Sequence, residues 1–272
     1  MSLPKRRLRR WLLLVFLFVV IVWFLLAYVI LPALWRHYEH HPAMVRAPKT
    51  TETRDGIPGD PLNVGLVGSE TEIVNAFLQA HWYPADPKTF RTALHIAASV
   101  VRNRSYPDAP VSDLYVWGRR QDLAFEQAKG KSPRQRHHVR FWQSTDLGVG
   151  GRPFWIGAAT FDRSVGLSHR TGQITHHIAP DVDADRRKLI ADLTEAGQLT
   201  RVYQVTGVGS RLIGRNGGGD WYYTDGELTI GVIAPQNIPQ ANPPTVLDDP
   251  LSVQMKNKAW SWLYPIMGQM QE

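Results

Sequence analysis

The residues of this chain that could carry out chemistry are concentrated in the stretch from Ser132 to Leu193. Guanidinium and imidazole groups bind phosphate and carboxylate oxygens, and a histidine held by an aspartate can transfer a proton. Five of the ten histidines lie in this stretch, interspersed with arginines and aspartates: His137, His138, His169, His176, His177, Arg134, Arg136, Arg140, Arg152, Arg163, Arg170, Asp162, Asp181, Asp183 and Asp185. Any functional site of the protein is therefore expected here.

Anion recognition is the function that this composition favours. An arginine fork binds two oxygens of a phosphate or carboxylate at once, and imidazoles add further hydrogen bonds. The alternative is that the same groups pair with the neighbouring aspartates in a polar network that fixes loops. The predicted site for an anionic, phosphorylated ligand comprises Arg134, Arg136, Arg140, Arg163, Arg170 and His176.

A second hypothesis is a hydrolase of phosphate or acyl esters. One histidine would act as acid and base while Asp162 orients it, and the candidates are His138, Asp162, His169 and His177. A serine nucleophile is disfavoured, because Ser168 and His169 do not lie in a G-x-S-x-G elbow. A third hypothesis is an accessory protein that binds an envelope complex through its surface.

The sequence predicts no metal site and no cofactor. Adjacent residues of a strand point to opposite faces, so at most one histidine from each of the pairs His137-His138 and His176-His177 would enter a given site. One histidine of each pair together with Asp162 or His169 is a geometrically possible metal site. No HxxxH or HExxH spacing supports it.

The elements that must position these groups have clear local signals. Residues His138 to Ser144 alternate, with Val139 and Phe141 facing one way and His138, Arg140 and Trp142 facing the other. A strand is predicted over Arg152 to Asp162, and a helix is predicted to begin near Asp181 or Asp183, where acids suit the helix dipole. Asn216 to Asp220 is interpreted as a mobile turn between two later strands.

Helices are also predicted before this stretch. Ser69 and Glu72 match a capping box, and Asp86 with Pro87 begins a second helix. Two short strands are expected around Gly118. Because strands and helices do not alternate strictly, the predicted fold class is α+β: a mainly antiparallel sheet with two or three packed helices, preceded by one N-terminal transmembrane helix.

That transmembrane helix is predicted from Trp11 to Leu31, 21 residues without a charged, amide or aliphatic hydroxyl side chain. As a helix it would be about 32 Å long, enough to cross the hydrocarbon core of a bilayer. The basic residues before it place the N-terminus in the cytoplasm. The predicted location is the cell membrane, single-pass, with the lipid bilayer as a partner and, in a bacterium, a periplasmic main domain.

Composition excludes several classes of function. Five of the seven net positive charges lie in the first ten residues, so the body is nearly balanced and no nucleic-acid partner is predicted. The chain has no cysteine, which excludes disulfides, thiolate metal sites and a cysteine nucleophile.

The predicted organisation has five parts. They are a cytoplasmic basic segment at 1–10, the transmembrane helix at 11–35, a polar linker at 36–61, the globular domain at 62–235 and a C-terminal tail at 236–272. The linker contains His37, His40 and His41, which are interpreted as a chance cluster. The aromatic end of the tail could lie at the bilayer surface or, as we favour, pack against the domain.

Several segments resemble the LssY-like C-terminal domain family. They are SPRQRHHVRFW, GAATFDRSVGLSHRTGQITHHI and PDVDADRR, with DPLNVGLVGS and DLYVWGRRQDLAFEQ similar to earlier blocks, over Gly59 to Gly207. Members occur as single-span proteins, and others are fused behind multi-span modules of the SNARE-associated and phosphatidic acid phosphatase types. The resemblance implies the bacterial envelope and a connection to lipid phosphate. It implies no activity and no residue's role, and the phosphatase signatures are absent from this chain.

Overall fold

A computed structural model describes residues 5–30, 47–101, 112–130, 135–170, 172, 174–205, 209–210, 212–235, 243–249 and 251–269. The chain divides into two compact units, Met1–His40 and His41–Glu272. The predicted α+β class is confirmed.

The first unit contains one apolar helix. Helix α1 spans Lys5–Leu25 and continues as a π-helical turn over Leu26–Ile30. Its segment Arg9–Ile30 has a mean hydropathy of 3.2 and no buried residue in its most apolar window. At 22 residues the segment is long enough to cross a membrane, which suggests an anchor. Residues 31–35 of the expected span lie outside the described residues.

The described part of the second unit contains four α-helices, one short 3-10 helix (Val149–Gly151) and fifteen strands. The helices are α2 (Glu70–Gln79), α3 (Pro87–Val101), α4 (Val182–Glu195) and α5 (Leu251–Gln269). The strands are β1 (Thr50–Glu52), β2 (Pro58–Pro61), β3 (Val64–Val67), β4 (Tyr83–Pro84), β5 (Tyr115–Val116), β6 (Arg119–Arg120), β7 (Leu123–Ala128), β8 (Arg136–Leu147), β9 (Pro153–Leu167), β10 (Ile174–Ile178), β11 (Leu199–Val205), β12 (Ile213–Arg215), β13 (Trp221–Tyr223), β14 (Leu228–Ile233) and β15 (Thr245–Val246).

One large sheet organises this unit. Its strand order is β15-β11-β14-β3-β9-β8-β7-β4, and β10 pairs with the far end of β9. The pairs β14–β3 and β11–β15 are parallel and the other described pairs of this sheet are antiparallel. A four-stranded sheet, β2-β1-β5-β6, and the hairpin β12–β13 complete the described strands.

The two faces of the large sheet bury different partners. Val139 and Phe141 of β8 belong to a core cluster that includes Phe77 of α2 and Leu189 of α4. Trp142 of β8 belongs to a second cluster with apolar residues of β3, β9 and β14 and of the small sheet. The predicted alternation along β8 is therefore confirmed, and Arg136, His138 and Arg140 face the four-stranded sheet rather than the helices.

Several local predictions are confirmed. Ser69 caps α2, with the Glu72 backbone N–H donating to its hydroxyl and the Glu72 carboxylate accepting from the Ser69 N–H. The Thr89 N–H donates to the side chain of Asp86 at 2.7 Å, which caps α3. Asp181 caps α4 by accepting from Ala184. These signals are local, because each cap lies within three residues of its partner.

Other local predictions need correction. Three strands, β5 to β7, replace the two expected around Gly118, because Trp117 and Gly118 both take positive φ and close a tight hairpin. The turn from Asn216 to Asp220 is held by a hydrogen bond between its two end residues. Asp220 donates its backbone N–H to the Asn216 side chain at 2.9 Å, and both residues are buried.

The second unit also includes residues assigned to the linker and the tail. Strands β1 and β2 lie within 36–61, and β15 and α5 lie within 236–272. In the tail, Tyr264 of α5 stacks edge-on against Tyr223 and donates a hydrogen bond to Asp181, while Trp262 remains 72% exposed. Part of the aromatic end therefore packs on the domain, as favoured above.

Candidate functional site

A polar cavity of about 310 Å³ lies between the small sheet and strands β8 and β10. Residues at alternate positions of β8 reach it, because i, i+2 and i+4 share a face. The charged, histidine and hydroxyl residues among its lining are Arg54, Asp55, Asp60, Asp113, Arg136, His138, Arg140, Asp162, Ser112, Ser168, His176, Thr53 and Thr175. Five of the predicted residues therefore line this one cavity: Arg136, His138, Arg140, Asp162 and His176.

Arg140 is held by a carboxylate that sequence reasoning missed. Its Nη1 donates to Asp60 Oδ2 at 3.2 Å, and its Nε donates to the Ser112 carbonyl at 3.1 Å. Asp60 lies on β2, 80 positions from Arg140 in the sequence. Burial lowers the pKa of Arg140, although Asp60 opposes that effect. No local signal could have identified Asp60, since it falls in a Pro- and Gly-containing segment that reads as linker.

Asp162 lies at the centre of the buried charges. Its Oδ2 accepts from Arg136 Nε at 3.2 Å and lies 3.3 Å from His138 Nδ1, an ion-pair contact. Arg136 also donates through Nη1 to Glu126 at 2.8 Å. The other oxygen of Asp162, Oδ1, is buried and accepts no hydrogen bond from the described residues.

His138 and Asp162 shift each other's titration. Burial disfavours the imidazolium, but the charge and hydrogen bond of Asp162, together with Asp60, raise the pKa of His138 above its ordinary value. Burial likewise disfavours the Asp162 carboxylate, but His138 holds the pKa of Asp162 well below its usual range. The second nitrogen of His138, Nε2, lies 2.8 Å from the Thr160 hydroxyl. Burial also lowers the pKa of His176 and raises that of Glu126.

The shifted pKa values of His138 and Asp162 predict a pH range in which their contact stabilises the fold most. The lowered pKa of Asp162 gives stability above about pH 4, which is lost as the pH falls through its folded pKa. The raised pKa of His138 gives stability below about pH 6.5, which is lost as the pH rises through its folded pKa. The free energy of unfolding lost in His138→Gln should therefore be largest between about pH 4 and 6.5.

The measurement is urea denaturation of the wild type and His138→Gln from pH 3 to pH 9. Asp60, Asp162 and Arg140 also act on the His138 ring, and removing only the imidazole leaves them in place. Glutamine at the exposed His95 is the control for loss of a histidine. A difference between wild type and His138→Gln that stays constant from pH 5 to pH 9 would contradict the assignment.

The remaining catalytic candidates form a separate group. His177 Nδ1 lies 2.7 Å from Asp220 Oδ1, and His169 Nε2 lies 3.6 Å from the same oxygen. Neither histidine lines the cavity. The four predicted catalytic residues thus divide into a His138–Asp162 pair and a His169–His177 pair. Asp220 was missed, since it lies in the glycine-rich turn 43 residues after His177.

Other predicted residues lie elsewhere. Arg163 and Arg170 are exposed and do not line the cavity, and Arg134 lies outside the described residues. His137 points to the helix side of the sheet, where its Nδ1 contacts Asp185 Oδ1 at 2.5 Å. The two members of each histidine pair therefore do face opposite ways, as the strand period predicts.

Comparison with known proteins identifies one family. A family model described as LssY C-terminus matches residues 44–228, which is more than half of the chain. The match covers every residue that lines the cavity and all three members of the His169–His177–Asp220 group. No curated protein and no solved structure matches the chain.

Proposed function

Because the chain belongs to the LssY C-terminus family and begins with a helix apolar enough to cross a membrane, we propose that it is a membrane-anchored domain whose cavity binds an anionic ligand. The chemistry proposed is that of a phosphate group, carried by a lipid or by a small soluble compound. The anchor would be single-pass in the cell membrane, with the N-terminus in the cytoplasm and the domain in the periplasm. Basic residues before the apolar segment support that orientation.

The observation that carries the proposal is the convergence of Arg136, His138, Arg140 and His176 on one cavity. Three of them lie at alternate positions of β8, and the fourth comes from β10. Ser168 lines the same space. Guanidinium forks and imidazoles around a cavity of this size suit an oxyanion with several acceptor oxygens.

The arginines are paired with carboxylates, so net attraction is not the basis of this proposal. The cavity lining holds Asp60 and Asp162 beside Arg140 and Arg136. These ion pairs fix the guanidinium planes, which lowers the entropy lost when a ligand binds. The described contacts of Arg140 use only its Nε and Nη1, which leaves the Nη2 donors for an anion.

The test is binding of inorganic phosphate and of dioctanoyl phosphatidic acid to the full chain in detergent with EDTA, measured by isothermal titration calorimetry. His176→Ala should weaken binding about tenfold, because one hydrogen bond to an anion is lost. His95→Ala, on the exposed side of α3, should leave affinity unchanged.

The two ligands separate the two sources of phosphate. Tighter binding of the phosphatidic acid than of inorganic phosphate, with no binding of dioctanoyl phosphatidylcholine, would indicate a phosphomonoester lipid headgroup. Equal binding of both phosphates would indicate a soluble compound. Absence of heat with either phosphate would refute anion binding in this cavity.

A second candidate function is hydrolysis of phosphate or acyl esters. It is favoured by His138 and Asp162, which lie 3.3 Å apart and both line the cavity. In this proposal His138 transfers the proton and Asp162 orients the ring. Turnover of p-nitrophenyl phosphate or acetate that disappears in His138→Gln would support it, and no turnover of either ester would count against it.

A third candidate is an accessory protein of an envelope complex. It is favoured by an exposed apolar pair at the end of the β9–β10 hairpin, where Leu167 and Ile174 are cross-strand neighbours. Their exposed fractions are 64% and 80%. Isolated exposed apolar residues are common, so this observation is weaker than the convergence in the cavity.

A further inference from the structure

Three metal-ligating side chains meet beside the cavity, on the opposite face of β10. They are His169, His177 and Asp220, and one nitrogen or oxygen from each lies within 4.8 Å of the other two. We propose that they bind one divalent transition-metal ion. This proposal goes beyond anion binding, which is tested with EDTA present and does not require the ion.

The distances between the ligating atoms suit such an ion. Tetrahedral zinc with bonds of about 2.0–2.1 Å places its ligand atoms about 3.3 Å apart. The His169 Nε2 to Asp220 Oδ1 distance is 3.6 Å, and the His177 Nδ1 to Asp220 Oδ1 distance is 2.7 Å. Widening the second contact by about half an ångström would seat an ion between them.

The Asp220 carboxylate is held in place before any ion binds. Its side chain is 2% exposed, and Oδ2 accepts from the backbone N–H of Ile178 at 3.2 Å. The backbone N–H of Asp220 is held in turn by Asn216. This leaves Oδ1 directed at both imidazoles. Support of this kind orients ligands at protein metal sites.

Two glycines make room for the imidazoles. A Cβ at Gly166 would lie 2.7 Å from His177 Nε2, and a Cβ at Gly219 would lie 2.8 Å from His169 Cβ. Gly219 also has a φ of +92°, which other residues rarely adopt. The ring centroids of the two histidines are consequently only 5.1 Å apart.

A hydrogen bond between His177 and Asp220 alone would not explain His169. The His169 side chain is 61% exposed, so burial does not force it towards Asp220. Its Nε2 nevertheless points to the same carboxylate oxygen. Its backbone is fixed, because its N–H donates to the Gly218 carbonyl at 2.9 Å. Three separate segments therefore deliver one donor each.

The donor set selects the class of ion. Two imidazole nitrogens and one carboxylate oxygen suit zinc and its neighbours, whereas magnesium and calcium prefer all-oxygen sites. Arg170 and Arg215 lie nearby and reduce the attraction for a cation. Arg215 donates to the Gly219 carbonyl and its guanidinium stacks 4.0 Å from the centre of the Trp221 ring, so its described partners are groups other than Asp220.

The site would keep an open coordination position. Three protein ligands leave at least one position on a tetrahedral ion for water or an anion. His176 faces the cavity while its neighbour His177 faces this group, so β10 forms the wall between them.

The experiment titrates Zn²⁺ into the untagged, EDTA-treated full chain in detergent, with stoichiometry from native mass spectrometry and affinity from calorimetry. One ion should bind, and Mg²⁺ should not displace it. His177→Ala should weaken binding at least about 100-fold, which is the upper range for losing even a supporting residue. His169→Ala removes an exposed side chain and should weaken binding at least about tenfold without disturbing the fold.

The control is a triple variant with alanine at His37, His40 and His41, which removes the histidine cluster of the linker. It should bind zinc as the wild type does. Loss of binding in the triple variant, or wild-type affinity in both His169→Ala and His177→Ala, would overturn the proposal. With Co²⁺ in place of zinc, strong visible absorption typical of tetrahedral coordination should appear in the wild type and be absent from His177→Ala.

Discussion

Replacing Arg186 with methionine is expected to lower the free energy of unfolding by about 3–5 kcal/mol, the range for breaking a buried ion pair. Arg186 lies on α4 with a side chain only 2% exposed. It donates from Nη1 and Nη2 to Asp225 at 2.9 and 2.6 Å and from Nη1 to the Glu227 carbonyl at 2.7 Å. Methionine fills much of the volume but removes the guanidinium that pairs with Asp183 and Asp225.

The carboxylates left behind explain the size of this effect. Asp183 is fully buried and lies 3.4 Å from Arg186, and burial already raises the pKa of Asp183. Although burial disfavours the guanidinium, its contacts with Asp225 and Asp183 raise the pKa of Arg186 above the ordinary value. In Arg186→Met, Asp183 is expected to take up a proton, so part of the loss should be recovered at low pH.

The neighbouring arginine provides a matched control. Arg187 is 54% exposed and pairs with Asp181 at 3.4 Å. Arg187→Met should cost less than about 1 kcal/mol, because exposed ion pairs contribute little. Both variants would be compared with the wild type by urea denaturation of the full chain in detergent, followed by tryptophan fluorescence. Equal losses in the two variants would contradict the role given to Arg186.

Asp162→Asn should also cost about 3–5 kcal/mol at pH 5.5. The substitution keeps the shape of the side chain and removes only the negative charge. Arg136 and His138 are both buried and would lose the carboxylate that faces them at 3.2 and 3.3 Å. Arg136 would keep Glu126 as a partner, whereas His138 would lose the group that favours its charged form.

The pH dependence distinguishes this effect from a general loss of packing. At pH 8.5 His138 gives up its proton more readily, so the loss caused by Asp162→Asn should be smaller than at pH 5.5. The control is Asp113→Asn, which breaks a pair whose partners, Asp113 and Arg120, are 41% and 42% exposed. That change should cost less than about 1 kcal/mol at either pH. If Asp162→Asn lowers the free energy of unfolding by less than about 1 kcal/mol, the contacts of Asp162 with His138 and Arg136 do not stabilise the fold as proposed.

Substitutions at the His138–Asp162 pair and at the His169–His177–Asp220 group are expected to change different properties of the protein. The His138–Asp162 contacts contribute to folding, so a variant there changes stability before it changes binding. In the His169–His177–Asp220 group His169 is mostly exposed while Asp220 is buried, so His169→Ala changes binding with the least effect on stability. This difference makes His169→Ala and His176→Ala the cleanest reporters of the two proposals.

What the sequence determined by itself depends on near neighbours. The apolar run of α1, the caps at Ser69, Asp86 and Asp181, and the alternation along β8 were all readable from residues a few positions apart. The same period correctly separated His176 from His177 and His137 from His138. These features follow from the geometry of one helix or one strand, which the local chain imposes.

Only the tertiary structure decided which charges meet. Asp60 reaches Arg140 across 80 positions, and Asp220 reaches His177 across 43, since strand pairing and the small sheet bring distant segments together. The Arg/His cluster also divided into paired arginines around one cavity and a separate histidine group, with Arg163 and Arg170 left in solvent. Composition can place such groups in one stretch, but sheet register and face determine their partners, and those depend on contacts far apart in the chain.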